Sequence, residues 1–163
     1  TLEQGERLAL NGKNGSGKSS LLKLILGEDI KKTRTISIGS GLIISYVSQD
    51  TSHLSGTLSD YASQCRIDES LFKAILRKLD FERIQFTKDM AQFSGGQKKK
   101  VLIAKSLCEQ AHLYLWDEPL NFIDIYSRMQ IEKVIENVRP TMILVEHDER
   151  FAETIAAKAV KMV

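Results

Sequence analysis

Short apolar runs that end in glycine or in acidic residues alternate along the chain with segments of helical period. Arg7-Leu8-Ala9-Leu10-Asn11 is a compact, mostly apolar run and predicts a strand. Ser20-Leu21-Leu22-Lys23-Leu24-Ile25-Leu26 predicts a helix, stopped by Gly27. A charged, loop-like stretch from Glu28 to Arg34 leads to two short β patterns, Thr35–Ile38 and Leu42–Val47, joined by Gly39-Ser40-Gly41. From Thr57 the rhythm becomes helical. Leu58 and Tyr61-Ala62 mark a short helix capped near Thr57 or Ser59, and Leu71, Phe72, Ile75, Leu76 and Leu79 form the stripe of an amphipathic helix. Phe81, Ile84 and Phe86 read as packing residues, so residues 57–92 predict a small helical insert between two parts of a sheet.

Another helix opens at Ser94-Gly95-Gly96-Gln97, with Val101, Ala104, Leu107 and Cys108 on one face. Leu113-Tyr114-Leu115-Trp116 is a buried-strand pattern, followed by a helix over Tyr126 to Asn137 with Met129 and Lys133-Val134 as a partial stripe. Thr141 to Val145 predicts another buried strand, Glu149 to Ala156 a helix and Ala159 to Met162 a last strand. Strands alternating with helices point to an α/β fold, a mostly parallel sheet covered by helices, spanning 1–163 as one domain.

Composition narrows the picture only a little. The length suits one hydrophobic core, and the net charge of +2 is too small to imply a nucleic-acid partner by itself. No apolar run approaches a membrane span, and Cys65 and Cys108 are too few and too far apart for a disulfide framework or metal site. Reduced thiols and a cytoplasmic location are the expectation.

The chemistry begins at Gly12-Lys13-Asn14-Gly15-Ser16-Gly17-Lys18-Ser19, which fits the P-loop pattern G-x-x-x-x-G-K-[ST] between a predicted strand and a predicted helix. Glycines let successive amides turn inward around phosphate oxygens. Lys18 brings charge to the β- and γ-phosphates, Ser19 offers a hydroxyl to Mg²⁺, and the helix start faces the anion. In such folds ligands gather beyond the carboxyl ends of strands. That rule delivers Asp117 to Mg²⁺, Glu118 to the attacking water, and His147 to the γ-phosphate or that water. Gln49, just past a strand, is suited to sense Mg²⁺ or water. Ser94-Gly95-Gly96-Gln97 makes a second anion site at a helix start, which suggests that two copies share nucleotides. His53 and His112 read as surface or packing residues.

Taken in order, the P-loop, Gln49, Phe93-Ser94-Gly95-Gly96-Gln97, Leu113 to Pro119, Asn121-Phe122-Ile123-Asp124 and His147 resemble an ATP-binding cassette (ABC) ATPase, a P-loop NTPase, over nearly the whole chain. The resemblance implies that Asn14, Gly15, Ser16, Gly17, Lys18, Ser19 and Ser20 bind ATP, that Ser19, Gln49 and Asp117 hold Mg²⁺, and that Glu118, His147 and Gln49 carry catalysis. Ser94-Gly95-Gly96-Gln97 is similar to the family's signature motif. Cassettes of that family close head to tail, so these four residues would serve the ATP of a second cassette.

Within the family the chain resembles the ABC-F branch, soluble tandem cassettes that act on ribosomes. The short insert, the stretch Asp117 to Asp124 (close to D-E-P-T-N-H-L-D) and Gln97-Lys98-Lys99-Lys100 carry that likeness. Leu120, Phe122 and Ile123 depart from the commoner Thr, His and Leu, and look like the second cassette of antibiotic-resistance members that protect ribosomes. The resemblance also implies an adenine-stacking aromatic upstream of Thr1, a cassette cut at its N-terminal edge, and weak Mg-ATP hydrolysis without a partner cassette. The alternative is the ATP-hydrolysing subunit of a membrane ABC transporter; a non-catalytic module and a DNA-repair relative fit less well. The Lys98-Lys99-Lys100 run reads as a solvated helix face or as a contact to rRNA phosphates.

Overall fold

The computed structural model describes residues 1–28, 36–156 and 158–162. The strands are β1 (Arg7–Gly12), β2 (Ile44–Val47), β3 (Leu113–Asp117), β4 (Met142–Val145) and β5 (Lys158–Met162). The helices are α1 (Lys18–Ile25), α2 (Leu58–Cys65), α3 (Glu69–Lys78), α4 (Gly95–Cys108), α5 (Ile125–Val138) and α6 (Glu149–Ile155). Two 3-10 turns, Arg83–Thr87 and Met90–Gln92, precede α4. The strands form one sheet in the order β2-β3-β4-β1-β5, and each pairing is parallel. Parallel pairing puts every carboxyl end on one edge, which is what gathers the site.

Strand side chains alternate between two apolar clusters, as the two-residue period requires. Ala9, Val47, Trp116, Met142 and Leu144 face the larger cluster, built with residues of α2 to α6. Leu10, Leu113, Leu115, Ile143 and Val145 face the other, closed by Leu22 of α1. The predicted sheet with helices on both faces is therefore observed. One polar thread crosses the larger cluster. Trp116 Nε1 donates to Ser106 Oγ (2.9 Å), which lies 2.6 Å from Ser45 Oγ, all three residues being buried.

Local chemistry explains the helix boundaries. Thr57, Asp68, Ser94, Asp124 and Asp148 each accept a hydrogen bond from a first-turn amide, at the starts of α2 to α6 respectively. Several expectations need correction. Ile36 to Ile38 form no strand, and β2 begins only at Ile44, after the exposed Leu42 and Ile43. The rest of the expected charged loop and Thr35 lie outside the described residues. Ile84 does not pack but is 59% exposed. Helix α5 buries Ser127, Ile131 and Ile135, whereas Met129 faces outward. A stripe led by a serine is hard to see in sequence. Its hydroxyl is buried because it donates to Leu79 O (2.9 Å) and Asp124 Oδ2 (2.8 Å).

Candidate functional site

Strand β1 runs directly into the glycine-rich loop and α1. Gly17 caps α1 at φ 89°, a left-handed conformation that disfavours side chains, and α1 has no side-chain cap. Its first amides are thus left to other partners. Lys18 is buried along its stem, and its ammonium donates to Gly12 O (2.7 Å) and Lys13 O (2.9 Å), bracing the loop from within.

The carboxyl end of β3 supplies two acids with different surroundings. Asp117 is 2% exposed and its Oδ1 has no hydrogen-bond partner among the described residues. Burial pushes its carboxyl up from the ordinary value; the Ser19 hydroxyl pulls the other way, Glu118 adds to the rise, and the Lys99 and Lys18 ammoniums oppose it. A buried, unpartnered carboxylate oxygen beside a serine hydroxyl suits a hard divalent cation. Among the described residues no group of three His, Cys, Asp or Glu side chains stands ready to hold a metal alone. Mg²⁺ characteristically completes its shell with waters and substrate phosphates, so the residues present fit it.

Glu118, at φ 48°, turns out of the strand as its N–H donates to Val145 O (2.8 Å). Its Oε2 accepts from Gln49 Nε2 (3.0 Å) and Asn121 Nδ2 (2.7 Å), and its Oε1 lies 3.1 Å from His147 Nε2. Three loops thereby aim one carboxylate. Asn14, Gly15, Gly17, Lys18, Ser19, Ser20, Gln49, Glu118 and His147 line a cleft of about 440 Å³. Asp117 lies beneath it and shares with Ser19 and Gln49 an adjoining cleft of about 840 Å³ that also includes His53. Ser16 lines neither cleft. His112 accepts from Ile43 N–H through Nδ1 (2.9 Å), and Cys65 and Cys108 are both free.

The signature residues stand apart from these clefts. Ser94 Oγ accepts from Gln97 N–H (3.2 Å), and Gln97 Oε1 accepts from Ser94 N–H (2.9 Å), a complete capping box. A Cβ on Gly96 would lie 2.4 Å from Phe122 O, so glycine is what lets the loop after β3 cross α4. Phe122 itself is 83% exposed.

Three supporting residues escaped the sequence reading. Glu146, buried at the end of β4, accepts from the N–H groups of His147 (2.8 Å) and Asp148 (3.1 Å) through Oε1 and from Leu120 N–H (3.3 Å) through Oε2. Its place between a buried strand and His147 was the available signal. Asn121 lies three residues after Glu118, a spacing that one turn closes. The third is Lys99, and it overturns the reading of the lysine run as a solvated or RNA-facing surface. Lys99 is 2% exposed and donates to Ser48 O (2.8 Å) and Gln49 O (3.2 Å). Burial draws its pKa down, against the pull of Asp117, Glu118, Glu146 and Asp50. Lys100 is also buried and pairs with Asp124 (2.7 Å). Burial disfavours ionised Asp124, but the Lys100 ammonium and the Ser127 N–H and hydroxyl outweigh it and hold its pKa at about 2.

A family model described as ABC transporter matches residues 1–121. The chain belongs to the ABC transporter family. Its members' ATPase domains bind ATP, generally with Mg²⁺, and hydrolyse it. ATP-binding protein Uup of Buchnera aphidicola subsp. Acyrthosiphon pisum is 34% identical over 96% of this chain and 28% of its own length. ABC transporter F family member 2 of Arabidopsis thaliana is 30% identical over 99% of this chain and 25% of its own length. Ribosome protection protein VmlR of Bacillus subtilis is 29% identical over 94% of this chain and 28% of its own length. Among solved structures, RNase-L Inhibitor superposes with a TM-score of 0.80 at 25% identity, over 98% of this chain and 32% of that one. The ABC resemblance read from the residues therefore holds, with an F-family protein among the relatives. The chain spans about a third or less of each of these proteins. Among the described residues no helix is long and apolar enough to cross a membrane.

Proposed function

We propose that this chain is the ATP-hydrolysing cassette of an ABC-F-type protein that acts on the ribosome, working head to tail with a second cassette. The observation that carries the reading is the carboxylate of Glu118, held by Gln49, Asn121 and His147 at the mouth of the P-loop cleft. Amides of the loop and of α1, with Lys18, bind the phosphates; Asn14, Gly15, Ser16, Gly17, Ser19 and Ser20 belong to this cradle. Ser19, Gln49 and Asp117 would hold Mg²⁺, which when bound neutralises charge on the phosphate oxygens. Glu118 orients and polarises the attacking water, and its three neighbours keep the carboxylate from swinging away. His147 stands where it can donate toward the γ-phosphate. Ser94, Gly95, Gly96 and Gln97 serve the second cassette's ATP.

The ribosome enters through likeness to a protein named for ribosome protection and through the F-family relative. Protection against an antibiotic is the finer version of this reading, supported by Leu120, Phe122 and Ile123. The test is Glu118→Gln in the complete protein, assayed by turnover and by co-sedimentation with ribosomes. Turnover is expected to fall by about 10²–10⁴-fold, the range for losing a positioned base, with ATP-dependent pelleting on ribosomes. Turnover at the wild-type rate would remove Glu118 from its role. Recovery on membranes in place of ribosomes would favour the transporter-subunit alternative.

A further inference from the structure

Beside α3 the surface opens into a groove of about 470 Å³ lined by Lys73, Arg77, Phe81, Arg83 and Phe86. Its lining is entirely cationic or aromatic. Lys73 is partnered by Glu69 (2.5 Å) and Ser59 (3.1 Å), whereas Arg77 and Arg83, both exposed, make no ion pair among the described residues. The Arg77 guanidinium sits 5.9 Å from the centre of the Phe86 ring, on its face, leaving the other face of the guanidinium plane outward. Beneath it the rings continue edge to face, Phe86 to Phe81 at 5.5 Å and Phe81 to Phe93 at 5.3 Å. Phe93 directly precedes Ser94, so the floor of the groove is packed against the start of the signature segment.

We propose that this groove is an RNA-binding site, taking a single-stranded segment with phosphates against Arg83 and Lys73 and a base stacked on Arg77 over Phe86. Paired cations and stacking planes are what unpaired RNA uses, because each nucleotide brings one anionic and one flat aromatic group. An acidic protein segment would engage the cations and leave the planes without a role. The choice of RNA rests on the ribosome reading above. It also relocates the cationic contact: Lys99 and Lys100 are committed inside the fold, and Arg77 and Arg83 are not.

The test uses the complete protein and a short fluorescein-labelled single-stranded RNA of mixed sequence, read by anisotropy across a salt series. Arg77→Ala/Arg83→Ala is expected to weaken binding roughly tenfold or more and to flatten the plot of log K against log salt by about 1.4, at about 0.7 per lost phosphate contact. Arg77→Lys/Arg83→Lys keeps the charge and is expected to restore the salt slope without the full affinity, because stacking is lost. Equal RNA affinity in wild type and the double-alanine variant overturns the proposal, as does polyglutamate binding the groove more tightly than RNA. Ribosome co-sedimentation of the same variants separates the two readings. Pelleting that is unchanged alongside unchanged RNA affinity sinks the groove and leaves the ribosome. No pelleting of the wild type, with RNA binding that still depends on Arg77 and Arg83, sinks the ribosome reading and leaves the groove.

Discussion

Helices α1 and α4 both begin at glycine-rich segments, and they finish those beginnings in opposite ways. At α1 the cap is Gly17, with no side chain to satisfy the first amides. At α4 the cap is Ser94, and its box with Gln97 closes the first turn on itself. The glycines differ accordingly. Gly17 provides a turn that exposes backbone donors, whereas Gly96 makes room for the Phe122 carbonyl. One helix start is open to an anion as it stands. The other must exchange hydrogen bonds of its own to receive one, which suits a segment that acts only when a second cassette presents its nucleotide.

That contrast can be broken from either side. Lys18→Ala should produce the largest effect, lowering Mg-ATP affinity of the chain's own loop roughly ten- to a hundredfold, the range for losing a charge-assisted contact. Isothermal titration reads it, and an unchanged affinity would mean the loop does not hold the phosphates. Gly96→Ala should leave that affinity intact but cost about 1–3 kcal/mol of stability in urea, because backbone has to yield at Phe122. Ser94→Ala should cost about 1 kcal/mol, the usual value of a lost cap; no change would show that the box is not formed in solution. The smallest effect concerns acid. Asp124 titrates at about 2 in the fold, below its ordinary value, so its contribution is complete above about pH 4 and fades as pH falls toward 2. Asp124→Asn should therefore lose less stability than wild type over that window, measured by urea midpoints at successive pH values.

Much of the fold was legible because its strands are short, apolar and punctuated. Met142-Ile143-Leu144-Val145 is buried on both faces, as a central parallel strand must be, and reads directly from sequence. So do Glu118, His147 and Gln49, since strand order fixes where carboxyl ends meet. Helix α4 resisted because Lys99, Lys100, Val101, Leu102, Ile103 and Ala104 are buried without a break. A helix enclosed nearly all round has no polar stripe to betray its orientation, and three lysines in succession suggest water. Only tertiary partners, the carbonyls of Ser48 and Gln49 and the carboxylate of Asp124, reveal two of them as interior. Ile84 erred the other way, since an isolated apolar residue in a short 3-10 turn carries no periodicity to place it.

The grip of Lys99 on the backbone at Gln49 has a consequence for timing. Helix α4 carries the signature residues at its start, and Lys99 lies little more than one turn into it. A tilt imposed on that start by a neighbour's nucleotide is therefore relayed within a few ångströms to the residue that touches Glu118. In a pair of such cassettes, the two catalytic centres would not run as independent clocks. Each would keep time by the other.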